Sequence, residues 1–185
     1  MIKPVKVYAL VLSVVMVLAA CNFKKSDATN AVEATPEKVE TALKEELKKA
    51  PQFEVTTITG AQVSLKQSLA ENKPTVVYFT ASWCPMCAKN WPAISAAYPE
   101  YKDKVNFVAI SIDPTDDKEV MTNLAKDKAF QFPVAPGNPK VMLDFGVESQ
   151  ATTVGINKEG DILFQKNKST LSEEEYRKLF EQLLN

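Results

Sequence analysis

An apolar run, Thr75-Val76-Val77-Tyr78-Phe79, leads after four residues into Cys84-Pro85-Met86-Cys87, and the segment from there to about Tyr101 has helical character. No other feature restricts the fold of this chain so strongly. Five β-branched and aromatic residues suit a buried strand, and a proline directly after Cys84 suits the first helical position, which needs no N–H donor. Cys84 then falls at the helix N-terminus, where unpaired backbone N–H groups and the helix dipole favour thiolate over thiol. Cys87, one turn further in, is placed to attack a mixed disulfide formed by Cys84. The spacing therefore predicts an attacking and a resolving cysteine.

Other uses of such a pair remain open on spacing alone. A static disulfide closing so tight a loop removes little entropy from the unfolded chain. Half a zinc site needs a second pair or histidines, and the 185 residues include a single further cysteine, Cys21, and no histidine. Two thiolates by themselves suit Cu(I), a soft ion. The absence of histidine also removes Cys-His nucleophilic catalysis and histidine pH switches.

The elements around this junction alternate. Residues 53–65, FEVTTITGAQVSL, read as a hairpin about Thr59-Gly60, followed by a short helical turn over SLKQSLAEN. A second apolar strand, VNFVAISID, comes after Lys104, and Pro114 is expected to open a helix through DDKEVMTNLAKDKAF. Residues 138–146 suggest a short helix ending at Gly146. Two strands, TTVGIN and DILFQKN, flank the turn Lys158-Glu159-Gly160, and Ser172 caps a last amphipathic helix. Strands alternating with helices predict an α/β domain with a βαβ unit and a central mixed sheet, mainly parallel, flanked by helices.

The first twenty residues stand apart. Lys3 and Lys6 precede the uncharged run VYALVLSVVMVLAA, which ends in small residues at Cys21 and is several residues short of a membrane span. Leu18-Ala19-Ala20-Cys21 resembles the lipobox of bacterial lipoproteins, which implies cleavage before Cys21 and lipid attachment to it. The expected organisation is a signal peptide over 1–20, a tether with a short charged helix over 21–50, and one globular domain over 51–185. The helix is read from Thr35-Pro36-Glu37 and from Val39, Leu43 and Leu47, as a solvated spacer before Pro51. Asn22, rather than Asp, follows the cysteine, which favours the outer membrane if the cell is Gram-negative. Without residues 1–20 the chain carries 20 basic and 23 acidic side chains, a balance that does not attract nucleic acid.

The strand, the run Ala81-Ser82-Trp83-Cys84-Pro85-Met86-Cys87, and Pro92 five residues after the second cysteine resemble the active-site helix of thioredoxin-fold proteins. With the hairpin, the helix after SIDPTDD and the leader, residues 52–185 are most similar to the TlpA/ResA-like branch of extracytoplasmic thiol-disulfide oxidoreductases. That resemblance implies a thioredoxin fold with an N-terminal hairpin, a redox-active disulfide as the only cofactor and no metal. It also implies protein thiol or disulfide substrates and a membrane electron donor. Trp83 would shield and pack the site. The wider redoxin group includes peroxidases, but Ala81 stands where their motif places a threonine. Copper chaperones of related fold use a longer cysteine spacing and a histidine.

Two positions depart from the family pattern. The family's cis-proline loop aligns with Gly146 to Thr153, so Ala151 occupies the proline position, and a non-proline cis bond costs about 2.5–4 kcal/mol. A trans Gln150–Ala151 bond and an altered substrate loop are expected. The buried acid of thioredoxins aligns with Tyr78, a poor proton acceptor at neutral pH. Glu148, beside the altered loop, is a candidate replacement.

Overall fold

The structure, a computed structural model, describes residues 47–185. The leader, Cys21, the tether and most of the helix expected before Pro51 lie outside the described residues. Their last part takes a different form from that expected. Residues 47–50 are not helical: Lys49 forms an antiparallel bridge with Asp161, Ala50 N–H donates to the Gly160 carbonyl, and Ile162 N–H donates to the Lys48 carbonyl. Lys48 to Ala50 thus belong to the folded domain, because a partner 112 residues away offers backbone groups that a local helix pattern cannot anticipate.

Two short strands, β1 (Glu54–Thr56) and β2 (Gln62–Ser64), pair antiparallel about a turn in which Gly60 takes φ +89°. Helix α1 (Leu65–Ala70) follows, capped by the Ser64 hydroxyl. The main sheet then opens with β3 (Thr75–Thr80), every residue of which is buried. Helix α2 (Pro85–Ala97) carries the cysteines and runs into a short 3-10 turn, Tyr98–Glu100. Next come β4 (Asn106–Ser111), α3 (Lys118–Asp127), the two-residue β5 (Val134–Ala135) and α4 (Pro139–Asp144). Strands β6 (Thr152–Ile156) and β7 (Ile162–Lys166) and helix α5 (Glu173–Leu184) complete the domain.

The sheet order is β5-β4-β3-β6-β7. The pairs β3–β4 and β4–β5 are parallel, while β3–β6 and β6–β7 are antiparallel. The expected mixed sheet is present, its parallel part confined to one side. Alternation along β3 divides the core between two faces. Val76 and Tyr78 pack with the cysteines, Trp91 and Ile94 of α2, and Tyr176 and Phe180 of α5. Val77 and Phe79 pack on the opposite face with Phe53 and Val55 of the hairpin segment, Leu65 of α1, and Val141 and Phe145 around α4. Each such side chain, when fully buried, contributes about 1.5–3 kcal/mol.

Local chemistry sets the helix boundaries. Ser172 and Glu175 form the reciprocal capping box expected at the start of α5. Helix α4 closes with Gly146 at φ +67°, its N–H donating to the Leu143 carbonyl and that of Val147 to the Met142 carbonyl. Helix α3 begins later than expected, at Lys118, because Asp117 is the residue whose side chain accepts from Val120 N–H. Pro114 lies instead in a turn between β4 and α3. Among the described residues no helix is long and apolar enough to cross a membrane.

Candidate active site

Cys84 and Cys87 are joined by a disulfide, with Cα atoms 5.2 Å apart. Cys84 is the N-cap of α2, in extended backbone, and its Sγ accepts a hydrogen bond of 3.0 Å from the Cys87 N–H. The sulfur therefore fills the place that a hydroxyl or carboxylate takes at other helix starts. Pro85 occupies the first helical position, so a residue without an N–H donor sits where none is needed. Pro92 lies inside the same helix; both it and Ala88, whose carbonyl it leaves without its usual partner, are exposed. Both sulfur-bearing residues are nearly inaccessible, Cys84 at 2% and Cys87 at 0%.

Trp83 behaves otherwise. It is 57% exposed, so it is not packed into the core, and its Nε1–H donates to Asp113 Oδ2 at 2.6 Å. Asp113 is fixed in turn by Thr115, whose N–H and hydroxyl both donate to Oδ1 at 2.8 and 2.7 Å. Those bonds, first from the Thr115 side chain and backbone and then from Trp83, hold the Asp113 carboxyl below the usual carboxylate range. Three residues on, Asp116 is buried and turned toward the sheet. It accepts from Ser82 N–H at 2.8 Å, from the Ser82 hydroxyl at 2.5 Å and from the Ser111 hydroxyl at 2.5 Å. The β4–α3 turn thus grips the segment that delivers Cys84 to the helix.

Such an arrangement suits exchange between a dithiol and a disulfide, and comparison with known proteins agrees. A family model described as the AhpC/TSA family matches residues 47–167. The chain belongs to that family. The thiol-disulfide oxidoreductase ResA of Bacillus thuringiensis subsp. konkukian is 33% identical over 135 residues, spanning 71% of this chain and 76% of that protein. Among solved structures, a thiol:disulfide interchange protein of the thioredoxin family from Chlorobium tepidum superposes with a TM-score of 0.66 at 21% identity, covering 76% of this chain and 98% of its own. StoA of Bacillus subtilis gives 0.61 at 22% identity, covering 71% and 96%. The fold is that of thioredoxin, and the chain is a thiol-disulfide oxidoreductase of the redoxin group.

Behind the cysteines this family member has a neutral polar cluster. Tyr78 is fully buried and its hydroxyl has no hydrogen-bond partner. Burial pushes its phenol, and that of Tyr176, well above the ordinary tyrosine value, so both stay protonated at physiological pH. Asn90, three residues beyond Cys87 and fully buried, connects the cluster. Its Nδ2 donates to the Met86 and Ser169 carbonyls, and its Oδ1 accepts from Leu171 N–H and the Tyr176 hydroxyl. Sequence reasoning missed Asn90, Tyr176, Ser82, Asp113 and Asp116. The contacts that tie them to the site reach across 30 to 86 residues, so a local pattern offers no signal.

The loop at the family's proline position is likewise particular. Ala151 is buried at φ +57°, the left-handed region, its N–H donates to the Phe79 carbonyl at 2.8 Å, and its carbonyl accepts from Ser169 N–H at 2.9 Å. Proline can supply neither that φ nor that N–H. Glu148 is exposed and lines a surface depression with Gly146, Ser149, Gln165 and Asn167.

Proposed function

We propose that the chain is a lipid-anchored, extracytoplasmic enzyme that reduces protein disulfides through Cys84 and Cys87. The observation that carries this reading is Cys84 Sγ at the N-cap of α2, accepting the Cys87 N–H beside the exposed Trp83. In the reduced pair the helix start favours the Cys84 thiolate. That thiolate attacks one sulfur of a substrate disulfide, forming a Cys84–substrate bond as the substrate S–S bond breaks and one substrate thiolate departs. Cys87 then attacks Cys84 Sγ, re-forming the intramolecular disulfide and expelling the second substrate thiolate. Two electrons pass from the protein to the substrate, and an external dithiol donor restores the reduced pair.

Cys87 must give up a proton in this sequence. The buried polar groups on its side of the sheet are neutral, and Asp116, the buried carboxylate among the described residues, is engaged by Ser82 and Ser111. The departing substrate thiolate, with an ordinary value of about 8.5, is a suitable acceptor. The leader and Cys21 support the anchor, and a Cys21→Ser chain that still incorporates labelled fatty acid would remove that part of the reading.

The direction of electron flow is tested by the reduction potential of the Cys84–Cys87 couple. A value below about −200 mV supports a reductase, whereas one near about −120 mV, as in dedicated disulfide donors, contradicts it.

A further inference from the structure

The turn between β4 and α3 does more than connect two elements. Ser111 is the last residue of β4 and is paired with Thr80, the last residue of β3. Asp116 joins these strand ends to the active-site segment: one oxygen takes both the Ser82 N–H and the Ser111 hydroxyl, and the other takes the Ser82 hydroxyl. Ser82 is thereby held at backbone and side chain by one carboxylate. Between it and Cys84, the N-cap of α2, lies a single residue, Trp83, and the Cys84 N–H closes the turn onto the Ala81 carbonyl at 3.1 Å. The backbone of Asp116 is fixed as well, its N–H donating to the Asp113 carbonyl and its own carbonyl accepting from Gly137 N–H. A carboxylate with three donors, buried at 2% exposure and anchored at both backbone groups, is a rigid point from which to aim the chain.

We propose that Asp116 is a positioning residue for the redox pair: its grip on Ser82 fixes the direction in which Cys84 enters the N-terminus of α2, and so sets how strongly the helix start stabilises the Cys84 thiolate. The proposal rests on Cys84 being the attacking thiol. Two consequences of removing Asp116 oppose one another, which makes the idea testable. Loss of a nearby negative charge alone makes a thiolate easier to form. Loss of alignment with the helix N-terminus makes it harder, and an interaction of that kind is worth about 0.3–1 kcal/mol, up to fivefold in thiolate population.

The experiment is the rate of iodoacetamide alkylation of the fully reduced protein at pH 7, with the modified cysteine located by mass spectrometry. The equilibrium with a glutathione redox buffer is measured alongside. Asp116→Ala should slow alkylation of Cys84 by about threefold to fivefold and shift the glutathione equilibrium toward the disulfide form by a similar factor. Asp116→Asn, which keeps one acceptor oxygen while removing the charge, should retain at least half the wild-type rate. Ser82→Ala, which keeps the backbone N–H bond, should slow the reaction by about twofold and add little on top of Asp116→Ala. It keeps the test available should Asp116→Ala fail to fold. Faster alkylation in Asp116→Ala, or an unchanged rate in both Asp116→Ala and Ser82→Ala, overturns the proposal. Preferential alkylation of Cys87 in the wild-type protein would instead refute the assignment of the attacking thiol.

Discussion

The two sides of the disulfide are built from different chemistry. On the side where the chain arrives, carboxylates do the holding: Asp113 fixes Trp83 and Asp116 fixes Ser82. On the side where α2 meets the core, neutral groups do it: Asn90 ties the helix to Ser169, Leu171 and Tyr176, and Tyr78 lies beside them with a free hydroxyl. The difference teaches where charge is tolerable near a dithiol. A carboxylate engaged by three donors can be buried as a structural anchor, while among the described residues the interior polar groups beside Cys87, the resolving cysteine of the proposed reaction, are uncharged amide and phenol groups. In the proposed reaction, proton traffic at Cys87 then depends on the substrate and solvent instead of on a resident acid.

The largest effect that can break this contrast is on the neutral side. Asn90→Leu removes four hydrogen bonds and strands the buried Tyr176 hydroxyl of α5 together with half-buried backbone partners on α2 and the segment before α5. Unfolding in denaturant should show a loss of about 3–5 kcal/mol. A loss under about 1 kcal/mol would mean that the cluster does not hold the helix. Next comes the loop that the same network reaches through Ser169. Ala151→Pro demands a φ near −65° where the chain takes +57°, and deletes the donor to Phe79. A cost of about 3 kcal/mol is expected, and unchanged stability would show that the loop readily adopts another shape.

The acidic side is probed more gently. Gly137 is packed so closely that a Cβ there would meet the Asp113 backbone carbonyl, so Gly137→Ala must displace the turn that carries Asp113 and Asp116. Stability should fall by about 1–3 kcal/mol, and circular dichroism melting would reveal a neutral outcome as a contradiction. Smallest of all, Tyr78→Phe removes a buried hydroxyl that bonds to nothing. It should be neutral or gain up to about 1 kcal/mol. A clear loss would show that the hydroxyl has a partner after all, and would bring the two sides closer in kind.

How much of this was legible in the sequence follows from the range of the interactions. Strand β3, the helix start at Pro85, the hairpin turn at Gly60, the helix end at Gly146 and the Ser172 capping box are all decided within a few residues, and all were readable. Lys48 to Ala50 joined the domain rather than the tether because Gly160 to Ile162 sit beside them, a pairing invisible in a window of local sequence. Trp83 was readable as a neighbour of the site, but its exposed position and the capture of its indole N–H by Asp113, 30 residues away, were not. The absence of an acid at Tyr78 was apparent from its identity, but the cluster that replaces it was not, since Asn90 and Tyr176 gain their meaning from contact across 86 residues.

The central claim is that Cys84 attacks and Cys87 resolves. Reduced Cys87→Ala protein, mixed with a disulfide-bonded protein such as insulin, should accumulate a mixed disulfide that peptide mapping places on Cys84, while Cys84→Ala should neither form the adduct nor reduce insulin. Insulin reduction by Cys84→Ala, or an adduct on Cys87 in that variant at a comparable rate, would contradict the account.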